Sequence, residues 1–139
     1  MNPTAILFPA IVQAALTVAV LIALGPARAR SMREAGQNLD DADVRLGKNR
    51  WSEQAHQIAN NYKNQFELPV LFYAVVAFAL ITRSVDYLTL VLAWAFVLSR
   101  IVHAAIHIGP NAVRWRGMAF LVGVVALVAL WVQLTLHIL

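Results

Sequence analysis

The sequence predicts an all-α integral membrane protein, a bundle of four membrane-spanning helices. Three observations carry that expectation. Of the 139 residues, 60% are hydrophobic and 13% charged, against roughly a quarter charged in a soluble domain. The apolar residues are gathered into four blocks, at about 4–24, 66–82, 86–108 and 116–138. Blocks of that length suit a helix crossing about 30 Å of hydrocarbon. Lysine and arginine flank these blocks, so the net charge of +4 reads as orientation in a membrane. A nucleic-acid partner would need a soluble basic face, and little soluble surface remains. The length implies one domain, 1–139. The absence of cysteine excludes disulfides, thiolate metal sites and a cysteine nucleophile.

The first block starts without charge in Met1–Pro3 and lacks a small-residue cleavage site. It is therefore a retained helix rather than a signal peptide. Gly25-Pro26 is expected to close it, with Pro9 as the place for a bend. Residues 25–65 form the only long polar stretch. Within it, 32–49 lacks a strong apolar period and reads as a loop with a short helix. Ser52 is the expected N-cap of a helix with Glu53 in its first turn. That helix is expected to run on into the second block.

The entry to the second block, NNYKNQFELPVLF, is the most informative stretch. Asn60, Asn64 and Glu67 follow at i, i+4 and i+7, one face of a continuous helix. Pro69 removes the donor that would bond the Gln65 carbonyl. A carboxylate at mid-helix in hydrocarbon costs on the order of 3 kcal/mol or more, so Glu67 needs a partner or water. Residues 82–86 make a tight connection to the third block. Near the end of that block Arg100, His103 and His107 form one stripe. Gly109-Pro110-Asn111 is a turn signal, and Arg114-Trp115-Arg116 a basic aromatic step at the interface. The fourth block is nearly featureless, with Gly123 and Ala126 spaced to permit close helix approach. Trp51, Tyr87 and Trp115 read as interfacial anchors; Trp94 and Trp131 lie deeper.

Nearly all lysine and arginine fall in the first and third connections, the second holding only Arg83. Residues 25–65 and 109–116 are then cytoplasmic and both termini outside, in the cell inner membrane for a bacterial protein. Glu67 and Arg100 can lie at similar depth and are expected to pair. Asn60, Asn64, Glu67, Arg100, His103 and His107 then line one ligand-binding cleft open to the cytoplasm. Arg114 and Arg116 stand at its mouth, where they could hold anionic groups. Three other readings compete. The ion pair could be purely structural, with the histidines bonded to backbone. His103 and His107 have the i, i+4 spacing of metal ligands, but Arg100 on the same stripe opposes a cation and no metal is expected. A proton relay through Glu67 and the histidines would find nothing to continue it in the fourth span.

Asn64-x-x-Glu67-x-Pro69 entering the second span and Arg100-x-x-His103-x-x-x-His107 ending the third resemble the MAPEG family. These are membrane-associated proteins in eicosanoid and glutathione metabolism, and the run NQFELPVLFY is especially similar to the bacterial branch. The likeness covers the whole chain in topology. It implies a homotrimer of four-helix subunits in contact with membrane lipids. It also implies glutathione as co-substrate, bound between neighbouring subunits, its thiolate attacking a lipophilic electrophile or peroxide. Carried onto this chain, Asn64 and Glu67 hold polar ends of glutathione and Arg100 pairs with Glu67 and reaches the ligand. His103 matches the polar residue one turn on, and Arg114 or Arg116 is the candidate thiolate stabiliser. Glutathione-binding members commonly carry arginine one turn before the motif asparagine, where this chain has Asn60. They commonly end the third-span motif in tyrosine, where it has His107. The resemblance thus implies a membrane glutathione transferase or peroxidase, with a non-catalytic lipid- or small-molecule-binding protein of the same fold as the alternative.

Overall fold

A computed structural model describes residues 2–48 and 50–139 of the chain; Met1 and Asn49 lie outside the described residues. A single 3₁₀ turn, Pro3–Ile6, leads into α1 (Leu7–Glu34). Pro9 falls in the first turn of α1, where its missing N–H is an orphan in any case. The helix does not stop at Gly25-Pro26 as expected; Pro26 lies inside it. Its basic extension is held from outside. The Ser31 hydroxyl donates to the Arg50 carbonyl at 3.3 Å and accepts the Ser52 N–H. The Arg28 guanidinium lies 5.4 Å over the Trp51 ring, and Arg30 pairs with Glu34 at 2.9 Å. The true stop is Gly36, at φ +63°, with Gln37 N–H bonded to the Met32 carbonyl at 3.0 Å. That wrap requires a left-handed residue, which glycine supplies at least cost.

A short α2 (Ala42–Arg45) follows, then α3 (Glu53–Asn64), N-capped by Ser52 as expected. The chain continues through α4 (Leu68–Ile81), α5 (Tyr87–Ile108) and α6 (Val113–Ile138). Counting α3 with α4, four helical units are long and apolar enough to cross a membrane: Pro3–Glu34, Glu53–Ile81, Tyr87–Ile108 and Val113–Ile138. The four-helix bundle read from the sequence is the observed architecture. Each connection reverses the chain, so the basic extension of α1, the start of α3, the end of α5 and the start of α6 share one end.

α5 and α6 pack along their length. Gly123 permits this, because a Cβ there would fall 2.6 Å from the Ser99 hydroxyl of α5. α1 packs on α3 and α5, and α4 on α6. The interior has two apolar clusters. One holds Ile6, Phe72, Val75, Phe96, Leu127 and Leu130, with the Phe72 and Phe96 rings stacked at 4.5 Å. The other, nearer the basic end, holds Val20, Leu24 and Ile58. Between them lies a buried polar layer of Gln13, Asn61, Gln65 and Arg100, each 0–1% exposed. Its amides are bonded in sequence. Gln13 Nε2 donates to Gln65 Oε1 and Gln65 Nε2 to Asn61 Oδ1, both at 2.9 Å; Asn61 Nδ2 donates to the Ala104 carbonyl at 3.1 Å. In a lipid environment such a layer fixes helix register, since sliding any member strands polar atoms.

At the opposite end Asp86 caps α5. Its Oδ1 accepts the Thr89 N–H and hydroxyl, each at 2.7 Å, and Gln133 of α6 donates to both carboxylate oxygens at 2.8 Å. His137 Nε2 stands 3.6 Å away. The Thr89 hydroxyl, then the Thr89 N–H, holds the Asp86 carboxyl below its ordinary range. A carboxyl with a lowered folded-state value stabilises the fold above its unfolded value of about 3.9, and that contribution disappears as pH falls through the folded value. Asp86→Asn should therefore melt lower than wild type at neutral pH and show a shallower loss on acidification. Melting curves from pH 7 down to about 3 check this; parallel acid limbs would contradict it.

Candidate functional site

The site forms where the second crossing breaks. Pro69 cannot donate a backbone hydrogen bond, and Gln65, Phe66 and Glu67 leave the helix between α3 and α4. Glu67 sits at φ −92°, ψ −96°. The last carbonyls of α3 thus lose intrahelical partners. One of them, on Asn64, accepts from Arg100 Nη2 at 3.3 Å. The guanidinium so meets the negative end of the α3 dipole. Its carbon lies 5.5 Å over the Phe120 ring, and Nε and Nη1 have no hydrogen-bond partner among the described residues.

The expected Glu67–Arg100 ion pair is not formed. Among the described residues the ion pairs within 4.0 Å are Arg30–Glu34 and the His137–Asp86 contact. The break supplies the reason. It takes Glu67 out of the helical phase of Asn60 and Asn64, leaving its side chain exposed, and it frees a carbonyl that Arg100 takes instead.

His103 is held at both ring nitrogens. Nδ1 lies 3.1 Å from the Arg116 carbonyl and Nε2 lies 3.4 Å from Asn64 Nδ2. A carbonyl only accepts and an amide nitrogen only donates, so this bonding set is that of the Nδ1–H tautomer. The His107 ring meets that of His103 edge-on, with centroids 5.5 Å apart. Arg116, in the first turn of α6, donates from Nη1 to Asn111 Oδ1 at 2.6 Å.

These groups enclose an open cleft of about 510 Å³, lined by Asn60, Lys63, Asn64, Glu67, His103, His107, Arg116, Gly117 and Phe120. Six of the eight candidates from the sequence therefore meet: Asn60, Asn64, Glu67, His103, His107 and Arg116. Arg100 is buried behind Asn64 and Phe120 and is not part of the lining. Arg114, offered beside Arg116 as a thiolate stabiliser, is exposed and outside the cleft. Sequence reasoning did not single out Lys63, Gly117 or Phe120 as part of the site. Lys63 was legible, since it lies at i+3 from Asn60 and shares its face. Gln13, whose amide anchors the polar layer, was equally legible as the one polar side chain in residues 5–16.

The MAPEG family model matches residues 6–136, nearly the whole chain and every residue of the cleft. The chain belongs to the MAPEG family. No curated protein and no solved structure is significantly similar to it. As a MAPEG protein it belongs among membrane proteins of glutathione-transferase-like or eicosanoid-metabolising type, as the two motifs implied. What the cleft of this MAPEG protein offers chemically is specific. It has two cations, Lys63 of α3 and Arg116 of α6, and one anion, Glu67. Amide and imidazole groups stand beside them.

Proposed function

We propose that this MAPEG protein binds glutathione in the cleft and presents its thiolate to a lipophilic electrophile or peroxide, as a membrane transferase or peroxidase. One observation carries the reading: two cations and one anion line the same cleft. Glutathione as the thiolate carries one ammonium and three anionic groups, of which the two cations meet one carboxylate and the sulfur. Glu67 takes the ammonium, Lys63 a carboxylate, and Asn60 and Asn64 bond the peptide groups. Lys63 thereby supplies from the same helix face the cation that Asn60 does not. Arg116 stands by the sulfur. A free thiol titrates near pH 8.5 and is mostly protonated at neutral pH. A guanidinium beside the sulfur favours the thiolate. In conjugation the sulfur lone pair forms the new C–S bond and the leaving group departs with its electrons. With a peroxide the thiolate sulfur takes the distal OH as a sulfenic acid and the O–O bond breaks. The alkoxide leaves and takes a proton from solvent to become the alcohol. A second glutathione then attacks the sulfenic sulfur and displaces water to give the disulfide.

A homotrimer, and a cleft facing the cytoplasm with both termini outside, belong to the same proposal. MAPEG proteins are typically trimers. Of the cations outside the buried Arg100, all but Arg83 lie at the cleft end of the bundle, as the positive-inside bias requires. A second reading, a non-catalytic lipid- or small-molecule binder, is favoured by Asn60 and His107 and by Arg100 lying outside the cleft lining.

The test is glutathione titrated into purified protein in micelles, read by thiolate absorbance and thermal unfolding. The enzyme reading expects a thiolate band at neutral pH. It also expects ligand protection approaching about 2.7 kcal/mol at a hundredfold excess over Kd. Protection without a thiolate band would leave the binder. Neither signal across a millimolar range would remove glutathione.

A further inference from the structure

We infer that Asn111 is a positioning residue for Arg116, a clamp that fixes the guanidinium at the cleft from the turn between α5 and α6. The inference rests on the glutathione reading and adds a residue to it.

The turn Gly109-Pro110-Asn111 contains a backbone oddity. Asn111, not glycine, stands at φ +48°. The left-handed region costs most L-residues about 1–2 kcal/mol, and asparagine is among the few that visit it routinely. A chain needing only the turn would have placed its glycine there. Here Gly109, two residues earlier, lies at φ −88°. The Asn111 side chain is therefore in use, and its partner is known. Oδ1 accepts from Arg116 Nη1 at 2.6 Å, a bond whose donor carries the charge.

The main chain of Asn111 is tied down as well. Its N–H donates to the Ile106 carbonyl at 2.8 Å, one residue before His107 in the cleft lining. Asn111 thus links the end of α5 to the side chain of Arg116. The backbone of Arg116 is fixed separately, through its carbonyl and His103 Nδ1 at 3.1 Å. The two ends of one residue are held from two sides, by α5 and by the turn. Without the side-chain clamp, a long arginine on an open cleft wall would sample many rotamers. With it, one Nη is committed and the remaining donors are held in a fixed direction.

The experiment uses the full-length protein in micelles. Asn111→Gly keeps the turn, because glycine takes positive φ freely, and loses the clamp. It should melt near wild type. The pH midpoint of the bound glutathione thiolate should rise by about one unit, a tenfold change in its ionisation constant. Asn111→Ala loses clamp and easy turn together; it should melt lower than N111G but show the same thiolate midpoint. In an Arg116→Met background, N111G should change the midpoint no further, as expected if the two residues act as a unit. An unchanged midpoint in N111G, or an equal shift with and without Arg116, would overturn the clamp. A wild type with no thiolate band would remove the glutathione reading and the clamp with it; a wild-type band unmoved by N111G would remove the clamp alone.

Discussion

Arg116→Met should lower glutathione conjugation by about 10²–10³-fold, the loss typical when one preorganised donor is removed from a developing or stabilised anion. The melting temperature should stay near wild type, since the side chain lies on an open wall and makes one hydrogen bond, to Asn111. Arg114→Met is the informative comparison. Arg114 is exposed and outside the cleft, so its removal should leave turnover close to wild type. The two arginines sit two residues apart on α6, and a helix sends side chains two apart to different faces. Turnover with a model electrophile, at saturating and limiting glutathione, separates rate from binding. Equal losses in the two variants would mean that Arg116 acts through surface charge rather than through its place in the cleft.

The largest effect on stability is expected at Asn61. It is fully buried, accepts from Gln65 Nε2 at 2.9 Å and donates to the Ala104 carbonyl at 3.1 Å. Asn61→Leu strands Gln65 Nε2, at about 1–3 kcal/mol for an unsatisfied buried group, and also loses the bond to the Ala104 carbonyl that ties α3 to α5. Gln13→Leu should be milder. The Gln13 carbonyl oxygen already has no partner, so its removal frees one interior acceptor while stranding only Gln65 Oε1. Unfolding in mixed micelles at graded denaturing detergent gives the order: wild type, Gln13→Leu, then Asn61→Leu. An Asn61→Leu protein as stable as wild type would show that the amide ladder contributes nothing beyond packing.

The fold was legible because hydrocarbon permits few solutions. Four long apolar blocks can satisfy their backbone only as helices, and Ser52 and the charged flanks gave usable signals. The end of α1 was misplaced because Gly25-Pro26 is a strong local stop signal. It was overruled by tertiary ties at Ser31 and Arg28, which come from residues about 20 positions further on. Of the candidates that line the cleft, Asn60 with Asn64 and His103 with His107 were legible from helical spacing. The Glu67–Arg100 pair was not correctly read, because the spacing argument assumed an unbroken helix. The same Pro69 that was noted for its missing donor breaks that helix, and the break rephases Glu67. Arg114 and Arg116 could not be told apart, since the start of α6 sets their facing. That start depends on the turn at Asn111, whose positive φ has no unique sequence signature.

His103 has a consequence for which chemistry the cleft can host. An imidazole engaged through both nitrogens, giving to one neighbour and receiving from another, behaves as a strut. It cannot collect a proton from a reactant until one of those struts is released. The acid–base traffic of any reaction here therefore has to run through the reactants themselves, through Glu67 or His107 of the cleft lining, or through bulk solvent. That favours processes in which the nucleophile arrives already ionised over those needing the protein to deprotonate a carbon or a hydroxyl.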